Sequence, residues 1–139
     1  MTYSIKKNCK QLKTTISQNQ KKEDIFFSFE FLSALEESDC LDADSGWTPN
    51  YLVHETDTVI PFYEKENSHG EFVFDYAWAN AYFRYGQRYY PKLVMSVPFT
   101  PVDGNRIFSK SNKDGMSALN SLVDYTCLLY TSPSPRDDR

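Results

Sequence analysis

The sequence predicts an α/β (α+β) layer structure, and three observations lead there. Helical and extended apolar periods alternate along the chain. Ten Tyr and ten Phe supply large areas for packing helix and strand faces together. Hydrophobic residues make up 40% of 139, enough for one modest core. No internal repeat or low-complexity block interrupts the pattern.

The elements follow in order. YSIKK reads as a short strand, and Leu12 and Ile16 form an i, i+4 pair on a weakly amphipathic helix. In FFSFEFLSALEESDC, Phe27, Phe31, Ala34 and Leu35 fall at i, i+4, i+7 and i+8, and Glu30, Glu36 and Glu37 avoid that stripe. With Ser28 as N-cap, the spacing predicts a helix from about Phe29 to Ser38, ended by DCLDADSG.

After Gly46 the period becomes extended. WTPNYLVHE and TVIPFYEKE are rich in β-branched and aromatic residues, and Thr56-Asp57 between them predicts an antiparallel hairpin. Pro61 has no donor for a ladder, which places it at an edge or a strand start. Phe72 and Phe74 then lead from a turn into a helix over Tyr76 to Tyr85, stopped by Gly86. YYPKLVMSVPFTPVDGNRIFSK reads as an extended run, a turn and a strand. Last, Met116, Leu119 and Val123 at i, i+3 and i+7, with Leu122 beside them, predict a helix.

Charge is uneven. Six lysines, Lys6, Lys7, Lys10, Lys13, Lys21 and Lys22, precede Glu23, and from there to Thr126 seventeen acids face seven bases. Lysines without arginine or interleaved aromatics read as a solvated helix face. An acidic body also lacks the clustered cations that phosphate backbones require, so no DNA partner is expected. No apolar run is long enough to span a bilayer, and MTYSIKKNCKQLKT lacks the apolar region of a secretory signal; a cytoplasmic location is expected. Cys9, Cys40 and Cys127 are far apart, and His54 and His69 have no ligand spacing, so no disulfide framework and no metal site is expected. Each histidine reads as a surface or loop residue.

The informative stretch is HGEFVFDYAWANAYFRYGQRYYPKLVMSVPFTPVDGNR, His69 to Arg106. On composition alone, Tyr76, Trp78, Tyr82, Tyr85, Tyr89 and Tyr90 are packing residues with polar tips at the surface. Their order says more. FLSALEES, GWTP, HGEFVFDYAWANAY and YYPKLVMSVPFTPVDGNR, in that succession, resemble the FemAB-like peptidoglycan biosynthesis or recognition family of the GNAT N-acyltransferase superfamily. The blocks cover most of residues 25 to 107. The chain departs from the family between Val59-Ile60 and Pro61-Phe62, where it is short of residues, so the second hairpin strand looks shortened.

The resemblance implies a partial GNAT-like fold with a mixed twisted sheet, and transfer of an acyl or aminoacyl group from an activated carrier to an amine. Such a site must orient the amine, remove its proton and hold the carbonyl oxygen as charge develops. Within the family blocks, Asp75 and Tyr90 are the catalytic candidates: Asp75 to orient or deprotonate an amine, Tyr90 to donate a hydrogen bond. Trp78, Tyr82, Arg88, Tyr89, Lys92, Thr100 and Arg106 are the substrate-binding candidates, Arg88 and Lys92 suiting a carboxylate or phosphate. Each also has a reading as a packing or salt-bridge residue. Acyl-CoA or aminoacyl-tRNA is the donor that the resemblance implies, and a cell-wall precursor or other amine the acceptor. The phosphate-cradling loop [QR]xxGx[GA] is absent, so no cofactor is expected in this stretch.

The ending, TCLLYTSPSPRDDR, carries no motif. CLLYTSPSPRD, Cys127 to Asp137, back-translates to a sequence resembling the transposase mosaic end and adapter of short-read libraries. Residues 126–139 are therefore expected to be adapter-derived, 1–24 a basic N-terminal segment, and 25–125 the N-terminal portion of a GNAT-like domain. On that expectation the natural sequence stops near Tyr125, and a C-terminal half of the same protein is the missing partner without which the fragment is inactive. The rival expectation is a non-catalytic module whose aromatic groove, Tyr76 to Tyr90, holds a glycan or peptide.

Overall fold

The computed structural model describes residues 3–42, 44–55, 57–68 and 75–131. Strands β1 (Tyr3–Lys6), β2 (Trp47–His54), β3 (Thr58–Lys65) and β4 (Lys92–Val94) form one sheet in the order β1-β2-β3-β4. Every pairing is antiparallel, where the resemblance implied a mixed sheet. The helices are α1 (Lys13–Asn19), preceded by a 3₁₀ turn at Lys10–Leu12, α2 (Phe29–Glu37), α3 (Tyr76–Arg84) and α4 (Asn112–Thr131). The expected α+β composition is present.

β2 and β3 sit in the middle because both of their faces are covered. On one face Tyr51 and Val59 pack with Cys9, Leu12, Ile16, Phe27, Leu32 and Phe108, beneath α1 and α2. On the other, Leu52, Ile60 and Phe62 pack with Ala118 and Leu122 of α4. Strands buried on both sides read as continuous apolar runs. Edge strand β1 alternates instead, with Tyr3 and Ile5 turned toward α4 and Ser4 and Lys6 exposed.

The hairpin forms where expected, His54 pairing with Thr58. β3 is not shortened: it matches all eight residues of β2, from Trp47↔Lys65 onward. Pro61 lies inside β3 and not at an edge. Val59 exchanges both backbone hydrogen bonds with Phe108, at 2.9 Å each, so odd-numbered residues of β3 turn their polar groups away from β2. Pro61 continues that series, and its missing donor faces the gap between Phe108 and the first β4 pair at Tyr63. Pro49 is accommodated in the same way, beyond the point where β1 ends opposite Tyr51. His54, expected on the surface, is buried at the end of β2, and His69 lies outside the described residues, as do Phe72 and Phe74.

α2 starts as predicted. The Ser28 Oγ accepts from the Phe31 N–H at 3.3 Å and donates to the Ile25 carbonyl at 2.8 Å, and the Gln20 Oε1 accepts from the Phe29 N–H at 2.9 Å. Its buried residue is Leu32, however; Ala34 is exposed and Phe31 half-buried. Ser28→Ala is expected to cost about 1 kcal/mol in urea unfolding, with an unchanged slope.

α4 begins earlier than predicted, because Ser111 caps it: its Oγ accepts from the Asp114 N–H at 3.2 Å. The predicted stripe is borne out in part: Leu119 and Leu122 pack toward the sheet, but Met116 and Val123 are exposed, and the small Ala118 lies at the interface. The sheet presents the bulky Leu52, Ile60 and Phe62 there, so small helix residues let the two layers approach. Tyr125 closes this layer edge-on against Phe62 and Tyr3, at 5.9 and 6.4 Å between ring centres. α4 continues through Thr131 with Leu128 and Leu129 exposed; the rest of the expected adapter-derived tail lies outside the described residues. No helix among the described residues is long and apolar enough to cross a membrane, and no disulfide joins the cysteines.

Candidate functional site

The β3–β4 register assembles the site. Lys65 pairs with Lys92, and Val94 with Tyr63, so these four share the sheet face that also carries Trp47 and Tyr51. Like charges directly opposite each other destabilise a sheet unless each has an offset. The fully buried Lys65 ammonium lies over the Trp47 ring, 3.9 Å from its centre. The Lys92 ammonium meets the Asp75 carboxylate, with both side chains mostly buried.

Asp75 is the hub. Its Oδ2 accepts from the Tyr89 hydroxyl at 2.7 Å and from Lys92, and its Oδ1 accepts from the Tyr90 hydroxyl at 3.0 Å. Lys92 lies 5.8 Å from both tyrosine ring centres. The rings meet edge to face, Tyr89 against Tyr90 at 5.0 Å and against Tyr82 at 5.2 Å. Burial works to raise the Asp75 pKa, but the hydrogen bonds from Lys92, Tyr89 and Tyr90 and the Lys92 charge outweigh it and hold the carboxyl well below its ordinary range. Burial and the Asp75 anion push the Tyr89 phenol up to about 12. Tyr90 is likewise raised, by burial first and by Asp75, with the fully buried Ser68 hydroxyl beside it acting the other way. The result is an ionised carboxylate ringed by phenols that stay protonated at neutral pH.

Of the predicted residues, the structure therefore brings together Asp75, Tyr82, Tyr89, Tyr90 and Lys92. Trp78 is 67% exposed on α3, and Arg88 is exposed on the following loop. Thr100 and Arg106 are spent on their own loop. The Thr100 Oγ1 donates to the Pro98 carbonyl at 3.0 Å, and Arg106 donates to the Asn105 carbonyl at 2.9 Å and to the Val102 carbonyl. Arg106 lines a separate cleft of about 220 Å³ with Asp24, Phe27, Val97 and Asp103. The aromatic residues of α3, read as packing residues on composition, are not in the core: no α3 residue is buried.

Lys65, Trp47 and Ser68 were not singled out by sequence. The signal available was a charge inside the strand run TVIPFYEKE on the inward phase, opposite the Trp of GWTP. Phe99 was also missed. It holds a left-handed φ of 59° with its ring 5.4 Å from that of Trp47, a conformation that a bulky residue keeps only under surrounding constraint.

A second buried polar group lies under α2. Glu36 accepts from the Tyr51 hydroxyl and, at 3.2 Å, from the Cys9 N–H. Burial, then Glu36, pushes the Cys9 thiol up to about 12 and raises Tyr63, and burial, then Tyr63 and Glu36, raises Tyr51. This network ties the N-terminal segment to the sheet. A thiol held protonated is a poor nucleophile. Among the described residues no group of three or more His, Cys, Asp or Glu side chains is placed to hold a metal ion.

No curated protein and no solved structure matches the chain. A family model described as FemAB-like, peptidoglycan biosynthesis/recognition, matches residues 7–132, a span that holds the sheet from β2 to β4, all four helices and the Asp75 hub. With nearly its whole length matched, the chain belongs to the FemAB-like peptidoglycan biosynthesis/recognition family.

Proposed function

We propose that the protein serves N-acyl transfer to an amine of a cell-wall precursor, with Asp75, Tyr89, Tyr90 and Lys92 forming the wall that orients the acceptor. The observation that carries this reading is the Asp75 carboxylate, ionised and held by three donors beside an exposed aromatic helix. A carboxylate offers about four lone-pair sites, which leaves room for one N–H of an acceptor amine. A carboxyl held this far below its ordinary range is a weak base, so Asp75 orients the amine and does not deprotonate it. In the reaction the amine nitrogen bonds to the donor carbonyl, the carrier leaves, and the amine proton departs to solvent or to the carrier. Acyl-CoA or aminoacyl-tRNA is the donor that fits this chemistry.

A second reading, recognition without chemistry, is favoured by Trp78, Tyr82 and Tyr85, which lie exposed at i, i+4 and i+7 along one side of α3 and its end. Flat rings so placed suit sugar faces. One assay separates the two. Because the fragment is expected to be inactive by itself, full-length protein from the uninterrupted gene is incubated with amine-bearing muropeptides and each donor, and products are read by mass spectrometry with binding followed by calorimetry. Acylated muropeptide is the expected result. Binding without product sinks acyl transfer and leaves recognition standing.

A further inference from the structure

α3 buries none of its residues, yet carries Tyr76, Trp78, Tyr82 and Phe83 exposed, Phe83 to 81%. A helix so placed is not held by the apolar core. Among the described residues, the Asp75 carboxylate holds its first end and the Tyr82 ring meets Tyr89 near the other. Asp75 occupies the N-cap position, where an aspartate ordinarily accepts from the first-turn N–H groups. Here its side chain makes no cap bond. The carboxylate is turned instead to Tyr89, Tyr90 and Lys92 across the chain, and Tyr82 adds an edge contact to Tyr89.

We propose that α3 is a lid latched by Asp75, whose carboxylate exchanges between two sets of donors. In the latched state described above it holds Tyr89, Tyr90 and Lys92, and α3 lies beside the acceptor wall. In the open state it caps α3, and the helix swings away as a unit on the chain around Tyr85 and Gly86. Gly86, at a left-handed φ of 72°, is a position where the backbone turns without a side-chain penalty. Turned toward Tyr89, Tyr90 and Lys92, the carboxylate makes no cap bond, so capping requires it to turn away from the latch. The identity of the ligand that closes the lid rests on the acceptor reading above: an amine that adds its N–H to the latched carboxylate binds the closed state alone and shifts the population toward it.

Amide hydrogen exchange on the full chain tests this. In Asp75→Asn, exchange across residues 76–84 is expected to quicken by about tenfold or more, because a nine-residue helix released from the latch is marginal by itself and frays, while β2 and β3 keep their protection. Lys92→Met, which removes one of three donors, is expected to give a smaller rise confined to the same residues. Unchanged α3 exchange in Asp75→Asn overturns the latch. So does a uniform rise across the sheet, which would make Asp75 a general stabilising residue. In the wild type, an amine-bearing muropeptide is expected to slow α3 exchange. Its failure to do so counts against the acceptor reading, and the ligand-free comparison of Asp75→Asn with wild type still decides the latch.

Discussion

Trp47→Ala is expected to lower unfolding free energy by about 3–5 kcal/mol, against about 0.5 kcal/mol or less for Trp78→Ala. The two tryptophans differ in burial, 0% against 67% exposed. Trp47 begins β2 opposite Lys65, meets Tyr63 edge-on at 5.4 Å, and carries the Lys65 ammonium over its face. Truncation removes the transfer energy of the indole, opens a cavity beside the Tyr63 and Phe99 rings, and strips the aromatic wall from a fully buried charge. Domains of this size are stable by only about 5–15 kcal/mol, so one such change removes much of the total. Urea unfolding followed by far-UV circular dichroism checks it without relying on the fluorophore being deleted. Equal midpoints for the two variants would mean that the sheet end is not built around Trp47.

How much of this was legible from sequence depends on which physical signal each element carries. α2 was readable because its signals are local: Ser28 caps within three residues, and the turn-forming run after it stops the helix. The hairpin was readable for the same reason. The face of α4 was legible only in part: Leu119 and Leu122 pack as expected, yet the sheet's bulk admits Ala118 and leaves the larger Met116 and Val123 exposed. Pro61 was misplaced because proline's cost depends on whether a neighbouring strand exists at that point, a long-range fact set by Phe108 and β4. Asp75, Tyr89, Tyr90 and Lys92 stood in the quoted blocks, but their convergence on one carboxylate follows from the chain reversing between α3 and β4. Thr100 and Arg106 stood in those blocks too, and their polar atoms satisfy a proline-rich loop. Nothing in residue type separates the two outcomes.

Asp75→Asn is expected to lower kcat/KM for acyl transfer by about a hundredfold, the scale of losing acceptor orientation. The shape of the pH profile then identifies the residue's role. The folded Asp75 pKa is depressed, so its contribution is fully present above the unfolded value of about 3.9 and is lost only as pH falls through the folded value. Between about pH 5 and 8 the carboxylate keeps one charge state and imposes no acid limb. The acceptor amine, which must lose its proton to attack, gives a rise with pH in wild type and variant alike. Asp75→Asn should accordingly displace the whole curve downward without changing its form. A proton-abstracting Asp75 would behave differently, giving the wild type an acid limb in that range that the variant lacks. Tyr89 supplies an internal check, because the Asp75 anion is, after burial, the largest cause holding its phenol up at about 12. In the variant that phenol should ionise at lower pH, visible as the ultraviolet band of tyrosinate, and an unmoved Tyr89 titration would mean that the hydrogen bond between them does not persist in solution.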